Sequence, residues 1–219
     1  MADKKSFINK LGKDKELVLA VQRLLTKQAI PETLLASEEL TEIRQLLATH
    51  EDNEEKNGFF IINPDLISIV SMRDENLGTP NFIAKERPDL IRRVFQGETV
   101  FIPPLRSDIH LEHNPSTSLL PPTIFFAAPL IDNNNNIIAI ITLRLDPTKN
   151  FSRVIHLGRL SNSGETYAFD EQGRLLSESR FTEQLRQIGL IKPNEKSILN
   201  IHITDPGRNL LIKRHAEPP

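Results

Sequence analysis

The strongest constraint on this chain is the run from Pro122 to Pro147, PTIFFAAPLIDNNNNIIAIITLRLDP. Two apolar segments, Ile124–Leu130 and Ile137–Leu145, flank Asp132-Asn133-Asn134-Asn135-Asn136. Ile, Phe and Leu suit a pleated, half-buried surface, whereas Asp and Asn suit the turn between strands. The pattern predicts a β-hairpin with both strands buried. Within the second strand Arg144 falls on the same face as Ile138 and Ile140, and Thr142 is the only other polar residue there. A charge on a buried strand requires a partner or a polar cavity. The sheet is therefore expected to line a pocket, which points to binding rather than catalysis.

With 219 residues there is room for one domain, or for one and part of another. A net charge of −2 and an even spread of Lys and Arg provide no basic field for nucleic acid, which is not expected as a partner. The longest apolar run, Ile137–Leu143, falls far short of the roughly 20 residues that span a bilayer. The start, with Asp3, Lys4 and Lys5, does not read as a signal peptide. The chain has no cysteine, which excludes disulfides, thiolate zinc sites and thiol nucleophiles.

Helical periodicity dominates the first fifty residues. Leu17, Val21, Leu24 and Leu25 form one stripe, Pro31 interrupts, and Ser37 opens a second helix with Leu40, Ile43 and Leu47 buried. These are either two helices packed on a core or a longer stalk that dimerises. Glu51–Asn57 is a charged link. After it come strands at Phe59–Ile62 and Leu66–Met72, a loop over Arg73–Pro80, and a helix over Leu90–Phe95 that ends at Gly97. A short strand at Val100–Ile102 precedes a proline-bearing loop from Pro103 to Pro122. Thr148–Gly158 is expected to be a connecting helix. A second unit repeats the order weakly. It comprises strands at Thr166–Phe169 and Arg174–Ser177, a turn at Asp170–Gly173, a helix over Phe181–Ile188 ending at Gly189, and a strand at Ile198–Ile203.

Four segments together resemble a known family: GFFIINPDLISIVSMRDENLGTPN, ERPDLIRRVFQGE, FFAAPLIDNNNNIIAIITLRLDP and SGETYAFDEQGRLLSESRF. In this order, over roughly Gly58 to Phe181, they are similar to the extracytoplasmic double-Cache sensor domains of bacterial transmembrane receptors. The resemblance implies an α+β fold: a PAS-like antiparallel sheet with long N-terminal helices, plus a second, smaller or truncated Cache-like unit. It implies an N-terminal helical segment at 1–57, a membrane-distal module at 58–158 and a partial membrane-proximal module at 159–219. It further implies a small-molecule sensor without enzymatic activity or cofactor, acting as a homodimer. It would be periplasmic and anchored in the full-length receptor through segments outside this one. A ligand-free spacer or dimerisation ectodomain is the alternative.

One subfamily recognises amino acids through an arginine followed by an aromatic pair, with acidic residues downstream. Arg87 fits the arginine, but Asp89 and Leu90 stand where the aromatic pair belongs. Asp108 fits the first acidic position, and Arg144 reverses the charge of the last. With two arginines near the cavity, the resemblance implies an anion, and a carboxylate in particular. The candidate ligand residues are Arg144, Arg87, Arg73, Arg106, Asp108 and Phe126. Each has a structural alternative. Arg144 either faces ligand or pairs with a carboxylate, Arg87 either binds or lies on the surface, and Arg73 either binds or pairs with Asp74. Phe125 and Phe126 alternate, so one faces the cavity and the other the core. His110, Glu112 and His113 are read as a solvated loop rather than a metal site. No catalytic motif is present.

Overall fold

The structure, a computed structural model, describes residues 1–49, 58–107, 120–152, 155 and 165–203. Four helices come first: α1 (Ala2–Leu11), α2 (Lys15–Leu25), α3 (Pro31–Leu35) and α4 (Glu38–Ala48). Local chemistry sets their boundaries. The Asp14 carboxylate accepts the Leu17 amide at 2.9 Å and starts α2. Pro31 sits in the first turn of α3, where a missing N–H leaves nothing unpaired. The Ser37 hydroxyl accepts the Leu40 amide at 3.3 Å and opens α4, as its sequence predicts. These breaks give short helices packed on a core, the longest being eleven residues, rather than the long N-terminal helices that the resemblance implied.

Five strands form one antiparallel sheet: β1 (Phe59–Ile62), β2 (Ser68–Ser71), β3 (Val100–Arg106), β4 (Pro122–Ile131) and β5 (Ile137–Leu145). Their spatial order is β2-β1-β5-β4-β3. Between β2 and β3 lie α5 (Phe82–Glu86) and α6 (Pro88–Phe95). The predicted hairpin is β4–β5. Its turn is closed by the Asp132 carboxylate, which accepts the Asn134 and Asn136 amides at 2.8 Å each. Asn135 supplies the left-handed residue at φ 63°.

One boundary differs from expectation. β3 continues through Pro103 and Pro104 to Arg106, where a loop was expected from Pro103. An edge strand tolerates residues without an N–H, and the register shifts between Ile102 and Leu105 to accommodate the pair. Residues 108–119 of the expected loop lie outside the described residues.

The sheet is covered on both faces, which explains why its central strands do not alternate with polar residues. On one face Leu17, Val21, Leu24, Ile43 and Leu47 pack against Ile61, Ile124, Phe126, Ile141 and Leu143. On the other, Ile83, Leu90, Ile91 and Val94 pack against Phe60, Ile62, Ile102, Phe125 and Ile140. Gly12 allows α1 to close on β4: a Cβ there would lie 2.3 Å from the Pro129 carbonyl oxygen.

The second unit is less regular than its sequence predicts. The expected strands reduce to single bridges, Phe169 with Leu175 and Arg174 with His202. Side chains take amides that a ladder would use. The Ser177 hydroxyl accepts the Ala168 amide at 3.0 Å, and the Ser197 hydroxyl accepts the Ser179 amide at 2.7 Å. Helix α7 (Thr182–Gln187) ends near Gly189 at φ 76°, the expected glycine stop. The connecting segment forms a π-helical turn at Thr148–Ser152; of the rest of the expected helix, only Ile155 is described.

Candidate functional site

Arg144 stands on β5, the middle strand, on the face covered by α5 and α6. It is only 8% exposed. Directly opposite it on β4 is Phe125. Its guanidinium carbon lies 5.3 Å from the Phe125 ring centre, 5.4 Å from Phe60 and 5.8 Å from Phe82. The three rings contact one another at centroid distances of 5.7–6.3 Å. They thus form an aromatic wall whose negative π faces attract a cation. One guanidinium nitrogen donates to the Ser107 hydroxyl at 3.2 Å, and the Arg144 amide donates to the Gly58 carbonyl at 2.7 Å.

Thr142 lies two residues earlier on the same face and is fully buried. Its cross-strand neighbours are Phe60 and Ala127. Its hydroxyl has no hydrogen-bond partner. A buried, unpaired hydroxyl is costly in a finished core. Arginine and threonine therefore interrupt a mostly apolar layer.

No protein-family model matches the sequence, and no curated protein does either. Solved structures are similar to it. The sensor domain of the V. cholerae histidine kinase DctB matches with a TM-score of 0.51 and 18% identity, over 85% of this chain and 67% of that one. The chain has the PAS-like Cache fold. The E. coli DcuS sensor domain matches at a TM-score of 0.43 and 12% identity, over 66% of this chain and 86% of that one. The ligand-binding domain of the Campylobacter jejuni chemoreceptor Tlp3, in complex with L-valine, matches at 0.37 and 10%, over 88% and 77%.

Within the Cache sheet the other candidates take separate places. Phe126 lies on the opposite face, against the N-terminal helices, with its ring 5.4 Å from Phe101. Phe125 occupies the position expected of Phe126. The cause is a register shift between Leu130 and Ile131. Without that bulge, the pairing of Ile131 with Ile137 would run on to place Ile124 opposite Arg144, and Phe126 on its face. One extra residue exchanges the two faces.

Arg87 sits between α5 and α6 and grips Asp89 with two hydrogen bonds of 3.1 and 2.9 Å. This pairing holds the Asp89 carboxyl below its usual range. Arg73 follows β2, two strands out from β5, and Asp74 pairs with Arg44 at 2.7 Å rather than with Arg73. Arg106 reaches the second unit, donating to the Leu199 carbonyl at 3.1 Å. Burial lowers the Arg106 pKa. Asp108 and the His110–His113 segment lie outside the described residues. Among the described residues no cluster of three or more His, Cys, Asp or Glu could hold a metal, and no helix is long and apolar enough to cross a membrane.

Sequence reasoning overlooked Ser107, Phe60 and Phe82. Ser107 offered no signal in a proline-rich stretch. Phe60 was legible, since it shares parity with Ile62 on a strand that pairs with β5. Phe82 belongs to α5, a five-residue helix started by the Asn81 carboxamide, which accepts the Ile83 and Ala84 amides.

Proposed function

We propose that this chain is the extracytoplasmic sensor domain of a bacterial signal-transduction receptor and binds a small anion, specifically a carboxylate, at Arg144. The observation that carries the reading is a guanidinium buried on the middle strand of a Cache sheet, beside an unpaired threonine hydroxyl. In a dry site, charge-assisted hydrogen bonds to a carboxylate are stronger than in water, and guanidinium matches that group in shape. Phe60, Phe82 and Phe125 hold the arginine in place from the side. Thr142 supplies a neutral hydrogen bond next to it. The fold supports the receptor role by analogy with the DctB sensor domain. Residues 58–158 act as the ligand module and 159–219 as a second module. Binding shifts an equilibrium between arrangements of a homodimer and involves no bond making.

A second reading has its own support. The three rings and Ser107 already engage the guanidinium, as they would in a spacer domain with no ligand. Isothermal titration with mono- and dicarboxylates separates the two. Saturable binding that Arg144→Ala abolishes is expected. A folded protein that binds none of them supports the spacer, and binding that survives the substitution removes Arg144 from the site.

A further inference from the structure

The two strands that carry the site end against a single turn of the second unit. At the end of β3, Ser107 accepts a hydrogen bond from Arg144, while its neighbour Arg106 points the other way. Arg106 donates to the Leu199 carbonyl at 3.1 Å, and the same nitrogen donates to the Asn200 side-chain oxygen. At the end of β5, one residue past Leu145, the Asp146 carboxylate lies 3.5 Å from the Lys196 ammonium. Residues 196–200 are thus gripped from both strands at once.

That turn is strained. Leu199 has φ 62°, a region that branched L residues enter rarely. It is held there by two bonds: its amide donates to the Leu175 carbonyl at 2.7 Å, and its carbonyl accepts from Arg106. The same turn is closed by the Asn200 and Ile201 amides, which donate to the Ser197 carbonyl at 3.1 and 3.2 Å.

We infer that residues 196–200 form a spring-loaded coupling turn, through which the arrangement at Arg144 and Ser107 is passed to the second unit. Neighbouring residues at a strand end move together and face opposite ways. A shift of Ser107 toward or away from Arg144 therefore alters the aim of Arg106. When Arg106 lets go, Leu199 relaxes. The bonds that follow then weaken, namely Leu175 amide to Ile201 carbonyl at 2.9 Å and Ile203 amide to Gly173 carbonyl at 2.7 Å. The coupling lies within the chain and does not depend on which ligand, if any, the site takes.

Hydrogen exchange on the full chain without ligand tests this with Ser107→Ala, Arg106→Gln and Leu199→Gly. Ser107→Ala and Arg106→Gln should each speed exchange at Leu175, Leu199 and Ile203 by about five-fold or more, with the Ile140 and Ile141 amides changed less than about two-fold. Glycine adopts positive φ without strain, so adding Leu199→Gly to Ser107→Ala should restore slow exchange. The inference is overturned if Ser107→Ala leaves the second unit unchanged, because Arg106 is then a simple tether. It is equally overturned if β5 loosens in parallel, or if Leu199→Gly restores nothing.

Discussion

The two faces of β5 are built to different ends. Toward the N-terminal helices it presents Ala139, Ile141, Leu143 and Leu145, all buried and all apolar. Toward α5 and α6 it presents Ile140, Thr142 and Arg144. Both faces are equally hidden from water, so burial alone does not distinguish them. The difference lies in whether each buried group stabilises the fold by being there. The aliphatic face gains from every methyl it hides. The mixed face carries a charge, held by three rings and Ser107, and a hydroxyl without a hydrogen-bond partner, and the proposed ligand would give both a further role.

Substitutions should divide along the same line. Phe126→Ala on the aliphatic face should cost about 3–5 kcal/mol, measured by denaturant unfolding, because it leaves a void between sheet and helices. It should leave any carboxylate affinity of the folded fraction unchanged. Phe125→Leu should do the reverse, weakening binding more than stability. A Phe126 variant that folds normally but fails to bind would break the comparison.

Gly12→Ala tests how closely the helices seat on that face. The added methyl meets the Pro129 carbonyl oxygen at 2.3 Å, and both sides are backbone. A loss of about 1–3 kcal/mol is expected, the range for overpacking a well-filled interior. Thermal unfolding without any loss would show that α1 can move away freely.

On the mixed face, Thr142→Val keeps the shape and removes the unpaired hydroxyl. It should raise stability by about 1 kcal/mol, since an unsatisfied buried group is removed. It should also weaken ligand binding. Destabilisation instead would mean that the hydroxyl is paired in the folded protein.

The smallest effect concerns acid. Burial acts to raise the Asp146 pKa, but the Thr148 hydrogen bonds and the Lys196 charge outweigh it, and the net shift is downward. A carboxyl with a lowered folded pKa adds stability that is fully present above its unfolded value, about 3.9, and is lost as pH falls through the folded value. Asp146→Asn should therefore flatten the stability profile below about pH 4 and leave its shape near neutrality unchanged.

Much of the fold was legible in the residues. The Ile-, Phe- and Leu-rich runs around an Asp-Asn turn marked β4 and β5, and Ser37, Gly97 and Gly189 marked helix ends. The arginine among aliphatic residues marked the residue on which the proposed site centres. The rest depended on long-range geometry. One bulge, at Ile138 of β5, decided whether Phe125 or Phe126 faces Arg144, and bulges leave little trace in a sequence. Pro103 and Pro104 suggested a loop, because nothing local says that β3 is an edge strand. Arg87 and Arg106 looked like further site arginines, yet Asp89 and the Leu199 carbonyl hold them. In the second unit, serine hydroxyls compete for amides, so strand-like segments yield only bridges.

The central claim is that Arg144 is kept for what it binds and not for the stability of the sheet. Unfolding of Arg144→Met in denaturant, without ligand, tests it most directly. Removing one partner of a buried ion pair costs about 3–5 kcal/mol, because the other charge is left uncompensated, whereas exchanging buried charge for well-packed apolar groups is often neutral or stabilising. The account predicts unchanged or higher stability. A loss of about 3 kcal/mol or more would show that Arg144 serves a structural ion pair or cage, and would contradict it.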